Sequence, residues 1–313
     1  MKPLFRTRRL TALFLSLAAL CAVPALAWFD MGDTGLGAGD APIARNLWLD
    51  TYKNVAVTAV LSAVRSDGGE VTYRVIKHPA RGALTFDREG GDTFTYTPYE
   101  NKTGKDAFTY VAVDGEGHVS RPATVKVTIS KPAAKVFYRD MVDHPAHKAA
   151  ISLAERGIFI GERLGTAYLF RPEVPVTRQE FRAMTMEGLG RDGTDLPTGF
   201  ADEDDIAVWA RPYVASALRD GTVRGSMEKN VVRFDPDRPI RRGEAAVILN
   251  RLLRVSDVTA AEGGILPAWV AQSVANLEAA GVLAPRGDPE ETLTRAAAAM
   301  LLDRAMAVVE GRR

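Results

Sequence analysis

The chain has 313 residues, 46% of them hydrophobic, with a formal net charge of +1. It is long enough for two or more domains, each with its own core. The near balance of charge and the lack of a basic stripe exclude a nucleic-acid partner, and the single cysteine, Cys21, excludes a disulfide framework and a cysteine-ligated metal.

In chain order, Lys2, Arg6, Arg8 and Arg9 precede an almost wholly apolar run over 10–23, and Ala25, Leu26 and Ala27 follow it. That pattern predicts a secretory signal peptide, 1–27, cleaved after Ala27. Cleavage leaves 36 basic against 39 acidic side chains and no cysteine. No later segment is apolar enough to span a bilayer. Residues 28–42 are rich in Gly and Asp and read as a flexible leader.

From 43 to 131 the period becomes two. Alternating runs at 55–60, 71–75, 94–96, 108–113 and 124–129 are separated by turn residues such as Asp67, Gly68 and Gly69, then Glu89, Gly90 and Gly91, then Asp114 and Gly115. Short strands with no helical stretch between them predict an all-β immunoglobulin-like sandwich. A linker is expected over 132–136, after which the period turns helical. Helices are predicted over 145–156, 210–219 and 268–280, each followed by a glycine (Gly157, Gly221, Gly281) suited to a left-handed cap.

The helical half repeats. Pro145, Trp209 and Trp269 each lie 12 residues before one of those glycines. Pro172, Pro236 and Pro289 each lie 6 residues before Arg178, Arg242 and Arg295, and Phe170 and Phe234 lie 8 residues before the first two arginines. Glycine to arginine is 21, 21 and then 14 residues, so the third unit is shortened. The units are bounded at 137–192, 193–256 and 257–313.

Each arginine opens a helix. Thr177 and Glu180 form a capping box around Arg178, which gives both a structural role. A cation beside the positive end of a helix dipole is locally unfavourable, by a few tenths of a kcal/mol or more. Three arginines in register there point to an acidic ligand held by a guanidinium fork and free helix amides. Arg241 adds a second cation beside Arg242. Trp209 and Trp269 are candidates for stacking on a ligand, although such tryptophans are more commonly core anchors.

Other constellations are weaker. Asp202, Glu203, Asp204 and Asp205 fit a helix start better than a metal site. His144 and His147 lack the companions a zinc site needs. Asp114, with Asp67 or Asp106, lacks calcium-loop spacing. Arg286, Gly287 and Asp288 spell an adhesion tripeptide in the shortened loop. No nucleophile elbow or phosphate-cradling loop is present, and the expectation is a protein that is not an enzyme and uses no cofactor and no metal.

These motifs resemble the S-layer homology (SLH) family. Unit one supplies Tyr138, Asp140, His144, Ala146, the segment Gly157, Ile158, Phe159, Ile160 and Gly161, then Phe170, Pro172 and the helix start from Val176 to Glu180. Unit two supplies Phe200, Asp202, Trp209, Ala210, Phe234, Pro236, Ile240, Arg242 and Glu244, while unit three keeps only Trp269, Gly281, Leu293, Thr294 and Arg295. Gly82, Leu84, Phe94, Tyr96, Pro98, Asp106, Phe108 and Tyr110 are similarly akin to bacterial immunoglobulin- or cadherin-like domains.

The resemblance implies an all-α, pseudo-threefold helical bundle with grooves between units. It implies a secreted protein held non-covalently at the cell surface, in the cell wall or S-layer, by an acidic secondary cell-wall polysaccharide carrying pyruvate. Arg178, Arg242, Arg295, Arg241, Trp209 and Trp269 would be its ligand residues. The β domain would meet a protein or glycan partner not identified by sequence. The alternative is a structural S-layer or adhesion subunit whose helical units are only a scaffold. Pro145, Arg241 and Ala297 depart from the family pattern, so one or two competent grooves are expected, with the one at Arg295 ranked last.

Overall fold

The computed structural model describes residues 41–259, 266–284 and 287–311. The expected signal peptide and nearly all of the leader lie outside these residues, as does Arg286 of the tripeptide.

The first half folds as nine strands: β1 (Ile43–Ala44), β2 (Leu47–Tyr52), β3 (Val57–Val60), β4 (Ala63–Val64), β5 (Val71–Lys77), β6 (Gly82–Phe86), β7 (Thr93–Pro98), β8 (Gly104–Asp114) and β9 (Ala123–Ser130). One sheet has the order β2-β9-β8-β5 and another β3-β7-β6, with β1 paired to β4. β2 runs parallel to β9, with Leu47 opposite Val125. Alternation in β9 turns Val125, Val127 and Ile129 inward, where they pack with Leu61, Tyr96 and Tyr110. Phe94 and Phe108 meet edge-on across the two sheets at 5.3 Å. The region is thus strand-rich in the way the sequence predicts.

Two of its acids, half-buried Asp106 and buried Asp114, serve the loops. Asp106 accepts hydrogen bonds from Ala80 N (2.9 Å), Arg81 N (2.7 Å) and Tyr96 Oη (2.8 Å). Desolvation would raise its pKa, but these donors outweigh it and hold the carboxyl below its ordinary value. Asp114 is bound by the amides of Glu116 (3.0 Å) and His118 (2.8 Å) and by His118 Nδ1 (3.0 Å).

The second half contains α1 (His147–Glu155), β10 (Glu162–Leu164), β11 (Ala167–Leu169), α2 (Arg178–Gly188), α3 (Arg211–Arg219), β12 (Ser226–Glu228), β13 (Val231–Arg233), α4 (Arg242–Leu253), α5 (Ala268–Ala279) and α6 (Arg295–Glu310). Two units are therefore helix, hairpin, helix, and among the described residues the third shows no hairpin. The all-α expectation is corrected here: β10 pairs with β11 and β12 with β13. Gly157, Gly221 and Gly281 adopt φ of +75°, +68° and +69°, the left-handed conformation that a Cβ disfavours.

The segments before α2, α4 and α6 close a ring. Val176 N donates to Leu293 O, Leu293 N to Ile240 O, and Ile240 N to Val176 O, at 2.9–3.0 Å. All three side chains are buried at its centre. The ring also consumes the first amides of each helix. Arg178 N, Arg242 N and Arg295 N donate to Arg238 O, Glu291 O and Val174 O, and the next amides donate to Pro236 O, Pro289 O and Pro172 O. The helix starts expected to offer free N–H groups are thus occupied by the neighbouring unit. Those carbonyls also offset the positive dipole end that made arginine unfavourable there.

The two halves are fastened together. Tyr52 Oη donates to Glu155 Oε2 (2.6 Å), the Ala133 amide donates to Glu155 Oε1 (2.6 Å), and Val55 belongs to the apolar core of the helical half. Lys148 Nζ sits between Asp50 (2.9 Å) and Asp303 (2.8 Å), tying β2 to α1 and α6. Burial lowers its proton affinity, but the two aspartates outweigh it and raise the pKa above the ordinary 10.5. The contribution is therefore complete below that value and fades only as pH rises through the folded pKa. Lys148→Met should lower stability by about 1–3 kcal/mol, read by thermal melting at neutral pH, because the largely buried carboxylate of Asp303 loses its cation, while the exposed Asp50 adds little.

Candidate functional site

The ring decides what each arginine faces, because each opens toward the next unit. Arg178 donates from Nε to Phe234 O (2.8 Å) and from Nη1 to Glu244 Oε1 (2.7 Å), and stacks over the Phe234 ring at 5.2 Å. Its side chain is 11% exposed, and Arg238 binds the same carboxylate. Glu244 caps α4 by accepting from Arg241 N (3.1 Å), so one acid serves both the cap and the neighbour's arginine. Arg178→Ala should cost about 1–3 kcal/mol in a melting experiment through these internal bonds.

Arg242 has no equivalent acid, since Ala297 occupies that position in unit three. Its guanidinium donates to Ala284 O and lies so close to Gly287 that a Cβ there would overlap it. The shortened loop of unit three thus covers this junction. Arg241, expected to strengthen anion binding, is paired with Glu290.

Arg295 differs. Its guanidinium stacks over Phe159 at 5.1 Å and reaches Phe170 O at 3.5 Å. Among the described residues no carboxylate lies within ion-pair distance of it. Glu180, the counterpart of Glu244, instead accepts from Thr177 N (2.9 Å) and Thr177 Oγ1 (3.1 Å). Arg295 lines a groove of about 610 Å³ together with Ile158, Phe159, Met184, Trp209 and Tyr213, with Glu180 and Glu187 among the polar groups. That is the size of a small-ligand site with apolar walls and a few polar anchors. Burial pushes the Glu187 carboxyl above its ordinary pKa.

The structure therefore brings together Arg295 and Trp209, and places Arg178, Arg241, Arg242 and Trp269 elsewhere. Neither tryptophan is a core anchor: Trp209 is 50% and Trp269 53% exposed. Trp269 packs beside Gly243 and Pro289. Sequence reasoning missed Phe159, Glu187 and Tyr213. Phe159 lies inside the glycine-flanked motif of unit one, and Tyr213 follows Trp209 by four residues across the start of α3.

Comparison with known proteins adds two matches. Residues 39–131 match the bacterial cadherin-like domain, and residues 137–181 match the S-layer homology domain. The chain carries a bacterial cadherin-like domain followed by an SLH domain. It is similar to a surface-layer 125 kDa protein of Lysinibacillus sphaericus, 28% identical over 36% of this chain and 9% of that one. It is similar to a cellulosome-anchoring protein of Acetivibrio thermocellus, 30% identical over 38% of this chain and 26% of that one. An amylopullulanase of Thermoanaerobacterium thermosulfurigenes is 24% identical over 62% of this chain and 11% of its own. The matched stretches thus span about a quarter or less of these relatives. With its SLH domain the chain is a cell-surface protein, and among the described residues no helix is long and apolar enough to cross a membrane. Ring, arginines and groove all belong to the SLH domain and the two units that follow it.

Proposed function

We propose that the helical half is a wall anchor of three SLH repeats, at 137–192, 193–256 and 257–313, which holds an acidic cell-wall polysaccharide in the groove at Arg295. The observation that carries this reading is a guanidinium that has no acidic partner among the described residues, at the edge of an apolar groove that also exposes Trp209. A carboxylate such as a pyruvyl group pairs with the Arg295 fork, a sugar face lies on Trp209 or Tyr213, and Glu187 accepts from sugar hydroxyls. The cadherin-like domain, 43–131, is held outward by the contacts around Lys148 and displays its surface to a protein or glycan. The similarity to a cellulosome-anchoring protein and a surface-layer protein supports an anchoring role.

The scaffold reading applies to the other two junctions, where Arg178 is neutralised by Glu244 and Arg242 is covered by the third unit's loop. Sedimentation of the mature chain with purified walls tests the proposal. Binding should fall when pyruvyl groups are removed from the polysaccharide. Equal binding to both wall preparations would defeat the ligand assignment, and binding to neither would defeat the anchor.

A further inference from the structure

Arg182 is one of the largest fully buried side chains among the described residues, 1% exposed, in the middle of α2. Among those residues it has no acidic partner. Its Nη1 and Nη2 reach Thr222 Oγ1 at 3.4 Å and Thr222 O at 3.3 Å, both long, and its Nε is buried with no partner at all. Five N–H donors therefore make two marginal bonds. Counting four residues on from the helix-opening arginine, the other units carry Ala246 and Ala299, both fully buried. The repeat packs with alanine at this place, so its fold does not demand an arginine.

Burial lowers the Arg182 proton affinity to about 9, and repulsion from Arg178 and Arg251 adds to it, so the group is still cationic at neutral pH. A buried cation without a counter-charge is strongly destabilising, and a fold that retains one points to an anion from outside.

Thr222 also forms part of a polar pocket of about 290 Å³, with Arg191, Arg251 and Arg254 around it and Asp220, Gly221 and Leu252 completing it. Asp220, its one acid, lies 3.7 Å from Arg219. Arg251 reaches only Gly221 O, at 3.5 Å, and Arg191 and Arg254 have no side-chain partner among the described residues. The pocket lies where α2, α3 and α4 end. Arginines at helix C-termini complement the dipole, and that accounts for Arg251 in the last turn of α4. It does not account for Arg182, one turn into α2, whose side chain among the described residues hydrogen-bonds only to Thr222 on the wall of the pocket.

We propose that this pocket is a second anion site, in which Arg191, Arg251 and Arg254 grip a small oxyanion from outside and the charge of Arg182 attracts it from behind Thr222. The ligand is of the phosphate or carboxylate class, either free in solution or carried on an acidic sugar. No lining residue is shared with the Arg295 groove, and the proposal does not rest on wall anchoring.

The test is thermal melting of the mature chain at constant ionic strength with inorganic phosphate, with glucuronate, or with chloride alone. Phosphate, glucuronate or both should raise Tm by several degrees at millimolar concentration over chloride. A larger shift with phosphate identifies a free oxyanion, and a larger shift with glucuronate an acidic sugar. Arg251→Ala, at the surface, should reduce that shift at least severalfold, whereas Arg295→Ala should leave it intact. Arg182→Met should raise Tm in chloride, because it removes an uncompensated charge at similar volume, and should also lose the anion response. No shift with either anion, or an undiminished shift in both Arg182→Met and Arg251→Ala, would overturn the proposal.

Discussion

Arg295→Ala is expected to weaken binding of the mature protein to purified walls by on the order of a hundredfold. Loss of a charge-assisted, two-pronged contact in a groove centre costs roughly 2–3 kcal/mol, and each 1.4 kcal/mol is tenfold. Stability should change by only about 1 kcal/mol, because within the protein the side chain makes one cation–π contact with Phe159 and one long bond to Phe170 O. Arg295→Lys keeps the charge but loses the planar fork and should fall between the two. Arg178→Ala should show the reverse profile, a lower Tm with wall binding retained. The pair of variants separates an arginine facing a ligand from one facing the protein's own acid. If Arg295→Ala bound walls like the parent, the groove would not be the anchor site.

That contrast was legible in the sequence only in part. The repeat, the glycine caps and the helix starts are local features, and three helices with αL glycines appear where the pattern places them. The sequence also ranks Arg295 last, since unit three lacks both the box acid and the aromatic loop. The ring moves the effect of those losses to another junction. Arg295 faces unit one, so its groove is built from Ile158, Phe159 and Glu180, with Trp209 and Tyr213 from unit two. The defects of unit three fall on Arg242, which faces Ala284 and Gly287. Within one unit nothing reveals which neighbour an arginine addresses, because that is set by hydrogen bonds such as Val176 N to Leu293 O across more than a hundred residues.

The hairpins escaped the sequence for another reason. Strands of three residues such as Glu162–Leu164 and Ala167–Leu169 are too short to display a period of two. Glu244 was hidden differently. Its capping role is visible in the local spacing and conceals a second role as the partner of Arg178.

Asp202→Ala is expected to give the largest loss of stability, about 2–4 kcal/mol. Its side chain is fully buried, and it accepts from Phe234 N through Oδ1 and from Asp235 N through Oδ2, both at 2.8 Å. Alanine leaves both amides without an acceptor, at about 1–3 kcal/mol for each unsatisfied group. It also releases Asp235 from a left-handed φ of 56°, a conformation a non-glycine residue keeps only when its surroundings fix it. Asp140 holds Phe170 N (3.0 Å) and Arg171 N (2.7 Å) in the same way, with Arg171 at φ 57°, so the repeated aspartate is the brace of the turn that follows each hairpin. Asp202→Asn should recover about half of the loss, since its amide oxygen accepts one bond while its NH₂ opposes the other N–H. Phe234 stacks on Phe200 in a small core of its own and its carbonyl holds Arg178. The damage should therefore appear first as faster amide exchange over 198–236 and α2, with the sandwich spared. Uniform loss of protection across both halves would show that the brace acts on the whole chain and not on its own unit.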